Sequence, residues 1–600
     1  MKMNYLKNSL INTRDFLKST QSYFRDVLLM HGLILFIVLP LLGSSTRFIL
    51  KRGAIDYLSY DNLPTILTQH PGVLVALLLV LLSVLVLVYF EFTFLLLSVY
   101  FIKKKQAVRL RQLLQMTLLQ IKKIRPITVL FFLFYFLLVL PIGGLSFNSD
   151  LLSKIKIPAF IMDFIFENRV IVVAGFVLGY LFLIYLGIRV IFALPEMILR
   201  DRGFRESIKE SWRITKRRFF AILGQFIVIG GAIALMTSLV FFLVIFAQSL
   251  FELYLPEYAL ASAVFAMTLL QVALLLNIVL STVGIFYIIV DFMEDEGFLP
   301  DIPSWFYQEP LQEKKYTTLK IGLLLSVTIL FGIGVGLYNT TYLTDASTIR
   351  PLTASHRGVS NKNGVQNTLA SLRETAKLSP NYVEMDVQET KDHQFVVYHD
   401  FKLNSLAGIK KKPQDLTLKE LQAIEITENG KKGHIVSFDE YLDEANRLNQ
   451  KLIIEIKTTK YDSPDLVNNF IKRYKEDILT HHHLIQSLTY QTVTDLKTEV
   501  PAFNVGYILP FNIVGPPVTP ADFLTMEYST VNRNFIDSAH ADGKKVFVWT
   551  VNDEDAMSRM IFYGVDGIIT DQMELLNETI HSSEEMTYSD KLLNFVLGVG

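Results

Sequence analysis

The stretch YVEMDVQETKDHQFVVYHD, residues 382–400, decides how the second half of this chain is read. It holds two strand-like runs, YVEMDVQ (382–388) and FVVYHD (395–400), rich in the β-branched and aromatic residues that suit a pleated surface. The turn KDHQ (391–394) separates them. A parallel neighbour needs a crossover of about a dozen residues or more. The second run is therefore expected to fold back antiparallel, as a hairpin. Residues 389–449 then read as an insertion into a sheet that resumes further on.

With that insertion set aside, the strand pattern becomes regular. Candidate strands are LTASHRG (352–358), YVEMDVQ (382–388), KLIIEIK (451–457), HLIQSL (483–488), NVGYIL (504–509), DFLTMEY (522–528), KVFVWTV (545–551) and DGIITD (566–571). Helical stretches such as QNTLASLRETAKL (366–378) and STVNRNFIDSAHADG (529–543) lie between them. Eight strands alternating with helices predict a parallel (β/α)₈ barrel, a TIM barrel, over residues 352–580. A tail, 581–600, follows.

Chemistry in such barrels gathers at the C-terminal ends of the strands. Strand one ends in His356-Arg357, and the hairpin ends in His399-Asp400. Residues two apart on a strand share a face, which pairs Glu384 with Asp386 and Glu455 with Lys457. The three carboxylates suit a hard divalent cation such as Mg²⁺ or Ca²⁺. Arg357 and Lys457 suit a phosphate, and two histidines could exchange protons with attacking and leaving oxygens. Together these are the parts of a phosphodiester-cleaving site. Singly each is weak, since paired carboxylates on a strand are commonplace; their convergence on one end of one barrel carries the reading. The run His481-His482-His483 also invites a metal reading, but its place before a strand favours a structural one. The absence of cysteine removes thiolate metal sites, Cys nucleophiles and disulfides.

The ordered series SHRG (355–358), QNT (366–368), VEMDVQ (383–388), VVYHD (396–400), EIK (455–457), QSL (486–488), VWTVND (548–553) and GIITD (567–571) resembles the glycerophosphodiester phosphodiesterase family. The preceding half looks like the membrane domain attached to some bacterial members. The resemblance implies hydrolysis of glycerophosphodiesters to sn-glycerol 3-phosphate and an alcohol, by way of a cyclic phosphate formed by an adjacent glycerol hydroxyl. It implies an acid/base pair in His356 and His399, cation ligands in Glu384, Asp386 and Glu455, and phosphate contacts from Arg357 and Lys457. Gln366, Asn367 and Trp549 would belong to the substrate pocket. Two departures stand out: Gln366 replaces the Glu of the family's PENT, and the Pro usual after IITD is missing from Asp571-Gln572-Met573.

Residues 1–338 read differently. Hydrophobic residues make up 51% of the whole chain and Phe alone counts 44, an excess concentrated between 27 and 338. A membrane span needs about 20 apolar residues. Seven candidates fall near 27–48, 73–102, 126–147, 169–194, 219–248, 258–290 and 321–338, and 339–351 reads as a linker. No cleavable signal peptide is expected, because residues 1–26 are polar and mixed. Eight Lys and Arg crowd each of the loops 103–125 and 195–218, against two in 148–168 and none in 249–257. Cations of short loops stay inside, so both basic loops and the N-terminus are expected in the cytoplasm and the barrel outside. GFRESIKESWRITKRRFF (203–220) could lie along the inner membrane surface. Arg189, near a span end, is expected to snorkel.

The sequence thus predicts a multi-pass cell-membrane enzyme acting on glycerophosphodiester or lipid-linked substrates, teichoic acids included. Zero net charge gives no sign of a nucleic-acid partner, and the oligomeric state is not legible. A phospholipase acting on intact or lyso phospholipids is one alternative. A non-catalytic receptor or assembly protein with a degenerate barrel is another, for which Gln366 is the only hint. A transporter is disfavoured by the scarcity of charges within the spans.

Overall fold

A computed structural model describes residues 16, 20–55, 63–106, 108–121, 161, 170–302, 318–344, 350–511 and 515–597. The chain divides into two compact units, one drawn mostly from residues up to Leu343 and one mostly from Thr344–Gly600.

Among the described residues of the first unit, five helices are long and apolar enough to cross a membrane: Tyr23–Arg52, Pro71–Lys103, Val170–Leu199, Phe219–Tyr254 and Pro256–Asp295. Each coincides closely with one of the expected spans. The stretch 126–147 lies outside the described residues, and 321–338 falls within a helix, Thr318–Thr344. That helix runs six residues into the stretch read as linker. Polar side chains join helices within the unit, as amides and hydroxyls do where water is scarce. Asn339 donates from Nδ2 to Thr268 Oγ1 at 3.0 Å, and Gln271 Nε2 donates to Asn339 Oδ1 at 2.8 Å.

Several cations of the basic loops are paired. Lys103 meets Asp291 at 2.5 Å, Arg218 meets Glu296 at 2.5 Å, and Arg202 meets the buried Glu196 at 3.0 Å. The amphipathic stretch forms a helix, Phe204–Thr215, that buries Ser207, Ser211, Ile214 and Thr215. Arg189 departs from expectation. It does not snorkel but is buried, donating to Thr215 Oγ1 at 2.8 Å and stacking 4.4 Å from the centre of the Trp212 ring. A planar guanidinium can donate from its edge while its flat face stacks on an aromatic ring.

The second unit is the barrel. Its strands are β1 (Leu352–Ser355), β2 (Tyr382–Glu389), β3 (Phe395–Val397), β4 (Glu425–Glu428), β5 (Lys431–His434), β6 (Val436–Ser437), β7 (Leu452–Ile456), β8 (Leu484–Ser487), β9 (Val505–Leu509), β10 (Phe523–Glu527), β11 (Lys545–Trp549) and β12 (Gly567–Thr570). Eight of them run β1-β2-β7-β8-β9-β10-β11-β12 and close by pairing β12 with β1, all parallel. β3 turns back antiparallel on β2, with Val387 opposite Val397, and β6 pairs antiparallel with β3. The insertion also carries a separate hairpin of β4 and β5.

Period-two alternation builds the barrel's two sides. Val383, Met385 and Val387 of β2, with Ile454 and Ile456 of β7, pack in the outer core with the helices. The alternate residues face inward. A lower inner layer holds Ala354, Ile453, Leu484, Phe523, Phe547 and Ile569. Two aromatic rings fit there because glycine stands beside each: a Cβ on Gly506 would lie 2.1 Å from the Phe523 ring, and one on Gly567 would lie 2.3 Å from Phe547. Above that plug the inward positions turn polar, with Asp386, Glu455 and Gln486 in register on neighbouring strands.

Candidate active site

The polar ends of these strands surround one cavity of about 430 Å³, counting its open mouth. His356, Arg357, Glu384, Asp386, His399, Glu455 and Lys457 all line it, together with Gln486, Thr525, Trp549 and the apolar Leu488, Ile508 and Ile569. Residues far apart in sequence meet there because the parallel strands deliver their C-terminal ends to the same face, while His399 is brought in by the antiparallel β3.

Arg357 sits in the turn after β1 with φ +51°, and Gly358 follows at +68°. This left-handed turn aims the Arg357 backbone N–H at Glu384 Oε2, 3.0 Å away. Glu384, Asp386 and Glu455 are all buried and offer oxygens within 4.8 Å of one another. Burial, and then the charges of Asp386 and Glu455, raise the Glu384 carboxyl well above its ordinary range. Burial would raise Asp386 too, but His399, Lys457, Arg357 and an Asn367 hydrogen bond outweigh it and hold Asp386 low. Asp386 Oδ1 is buried and takes no hydrogen bond, with the Lys457 ammonium 3.4 Å away. Three crowded carboxylates with an oxygen left over fit a hard divalent cation, which would satisfy that oxygen and relieve their mutual repulsion. Lys457 donates to Glu455 Oε1 at 3.1 Å. Burial disfavours its charge, yet Glu455 and Asp386 overcome that and raise its pKa.

Each histidine is held by an aspartate. His356 Nδ1 lies 2.9 Å from Asp571 Oδ1, and His399 Nδ1 lies 2.6 Å from Asp400 Oδ1. A carboxylate only accepts, so Nδ1 carries the proton and a neutral ring keeps its lone pair on Nε2. Asn552 secures Asp571 by donating to Oδ2 at 2.8 Å and accepting the Asp571 backbone N–H at 2.8 Å. Gln388, on β2, donates from Nε2 to the carbonyls of Tyr398 (2.7 Å), His399 (3.2 Å) and Asp400 (3.0 Å), which fixes the hairpin end over the cavity. Burial lowers the His399 pKa despite the opposing charge of Asp386. The proximity of His356 lowers Asp571 against its own burial.

Gln366 and Asn367 are not part of the cavity lining. Asn367, at φ +59°, donates from Nδ2 to Asp386 Oδ2 at 2.9 Å, behind the carboxylates. Gln366 accepts from Arg357 Nη1 at 2.8 Å. Trp549 lines the cavity, and its indole N–H points to the Thr525 carbonyl at 3.3 Å. Of the histidine run, His482 caps a helix at φ +55°, while His483 is buried and accepts at Nδ1 from the Leu452 N–H at 3.0 Å. Burial pushes His483 down to about 4, so it is neutral and structural. Asp400, Asp571, Asn552 and Gln388 carry no role in the sequence reading, although VVYHD, GIITD, VWTVND and VEMDVQ contain them.

Comparison with known proteins adds two matches to family models. Residues 10–337 match the membrane domain of glycerophosphoryl diester phosphodiesterase, and residues 356–575 match the glycerophosphoryl diester phosphodiesterase family. A glycerophosphodiester phosphodiesterase of Caldanaerobacter subterraneus subsp. tengcongensis is 30% identical over 236 residues, 38% of this chain and 97% of that protein. The human lysophospholipase D GDPD1 is 24% identical over 271 residues, 38% of this chain and 85% of that protein. A solved glycerophosphodiester phosphodiesterase from Parabacteroides distasonis shares 26% identity, with 39% of this chain and 99% of that chain covered and a TM-score of 0.35.

Proposed function

This chain belongs to the glycerophosphodiester phosphodiesterase family, in the form with an N-terminal membrane domain, and from that premise we propose that it cleaves glycerophosphodiesters at the outer face of the cell membrane, lipid-derived and teichoic-acid substrates included. The class of enzyme is a phosphoric diester hydrolase, and the protein is a multi-pass membrane protein. What supports the residue roles is one observation: two Asp-held histidines, three carboxylates and two cationic side chains line a single cavity.

Arg357 and Lys457 hold the phosphoryl oxygens and balance the charge that grows on them. One histidine takes the proton from an adjacent glycerol hydroxyl as that oxygen attacks phosphorus. The other gives a proton to the departing alcohol as its P–O bond breaks. The roles then reverse: water, deprotonated by a histidine, opens the cyclic phosphate and leaves sn-glycerol 3-phosphate. A divalent cation, Mg²⁺ or Ca²⁺, held by Glu384, Asp386 and Glu455, would supply positive charge to the attacking and phosphoryl oxygens. Trp549 and the apolar wall of Leu488, Ile508 and Ile569 exclude water and seat the glycerol or head group.

Purified full-length protein should release glycerol 3-phosphate from soluble glycerophosphodiesters, and chelator should abolish the release. His356→Ala and His399→Ala should each lower kcat by roughly 10²–10⁴-fold. Cleavage that survives both chelator and His356→Ala would sink the reading. A second reading, hydrolysis of lysophospholipids, draws on the apolar wall and on the human relative named lysophospholipase D. Release of a phosphorylated lysolipid instead of glycerol 3-phosphate would select it.

A further inference from the structure

Gln366 touches a second group besides Arg357. Its Nε2 donates to Glu428 Oε1 at 2.6 Å, and its backbone N–H donates to Glu428 Oε2 at 2.8 Å. One carboxylate thus accepts from both nitrogens of residue 366, while the amide oxygen accepts from Arg357 Nη1. The orientation of that amide follows from chemistry. A guanidinium only donates and a carboxylate only accepts, so the oxygen must face Arg357 and the nitrogen must face Glu428. Glutamate at 366 would suit Arg357 but would set a second carboxylate against Glu428.

Glu428 is fixed by the insertion. It ends β4, and Asn429-Gly430 at φ +50° and +76° make the tight turn into β5. Ile426 of β4 shares an apolar cluster with Val365 and with Tyr398, the neighbour of His399. A Cβ on Gly433 of β5 would lie 3.0 Å from the Thr368 methyl, and Lys431 Nζ donates to the Asn363 carbonyl at 2.9 Å. The hairpin is therefore seated on residues 363–368, with Glu428 held at the backbone of Gln366.

We propose that Glu428 is a positioning residue for Arg357, acting through Gln366, so that the insertion hairpin sets the reach of the phosphate-binding guanidinium. The negative charge that the family motif carries at 366 stands here one residue further out, on the insertion. Gln366 and Glu428 are a matched pair that must change together. This rests on the reading of Arg357 as a phosphate ligand.

The experiment is a double-mutant cycle in the full-length protein. Gln366→Glu, Glu428→Gln and the double variant are compared for affinity for glycerol 3-phosphate and for KM and kcat on a soluble glycerophosphodiester. Each single variant should weaken glycerol 3-phosphate binding and lower kcat/KM by roughly tenfold or more. The double variant restores one carboxylate and one amide in exchanged places and should return close to wild type. Arg357→Ala supplies the control for a merely structural effect: in that background the single substitutions should no longer change affinity. Wild-type affinity in both singles, or a double variant no better than the worse single, overturns the proposal. Wild-type protein that fails to bind glycerol 3-phosphate would instead bring down the reading of Arg357, and this proposal with it.

Discussion

His356 and His399 reach the same orientation by different routes. His399 is held by its chain neighbour Asp400, whereas His356 is held by Asp571, 215 residues away. Either carboxylate fixes the proton on Nδ1 and leaves Nε2 for the substrate. Asparagine could accept the same hydrogen bond or, turned over, donate to Nδ1 and enforce the other tautomer. Asp571→Asn and Asp400→Asn should therefore each lower kcat by about 10- to 100-fold while KM for a soluble diester stays near wild type. Unchanged kcat in both, from steady-state kinetics, would show that the histidines need no aspartate. At this scale the sequence was partly legible. The side chains that face substrate sit at strand ends in recognisable runs, so their types and spacing pointed to the chemistry. The support of His356 was not legible, because which carboxylate meets that imidazole depends on β12 closing on β1 and not on spacing. Gln366 shows the same limit: it read as a pocket residue short of a charge, and it stands behind Arg357 with a carboxylate at its other end.

Elements were more legible than the contacts between them. The hairpin of β2 and β3 followed from the shortness of KDHQ alone, and the two faces of β2 and β7 followed from alternation. How the insertion is anchored was hidden. Its helix Phe438–Arg447 carries Glu444, which accepts from Arg373 Nε of helix Leu369–Ala376 at 2.7 Å and from Arg447 Nε at 3.1 Å. Glu444 is 8% exposed. The Arg373 and Arg447 hydrogen bonds hold its carboxyl down at about 2, from an ordinary value of 4.5. A carboxyl depressed by folding contributes stability that is complete above its unfolded value and is lost as pH falls through that value toward the folded one. The thermal midpoint of the full-length protein should therefore exceed that of Glu444→Gln at neutral pH, and the gap should close as pH falls from about 4.5 to about 2. A gap that stays constant over that range would mean that the ion pair contributes nothing.

The whole molecule joins a helical membrane unit to a (β/α)₈ barrel, and the expected orientation rests on loop charge. Cysteine is absent, so single introduced cysteines report without background. On intact cells a membrane-impermeant maleimide should label Lys475→Cys in the barrel and spare Lys209→Cys in the basic loop 195–218, both exposed positions. The reverse pattern would place the barrel inside. Apolar run length, strand period and the distribution of Lys and Arg are local properties of the chain. Reading along it therefore yielded the helical first half, the barrel with its insertion, and the residues at the strand ends. Closure of β12 on β1 brings Asp571 to His356, and seating of the β4–β5 hairpin brings Glu428 to Gln366. Such pairings depend on which surfaces fold against each other, which no local pattern encodes. The burial of Arg189 against Trp212 and Thr215 is of the same kind: a cation at the end of an apolar run has two ways to satisfy its charge, and the neighbouring helix selects one.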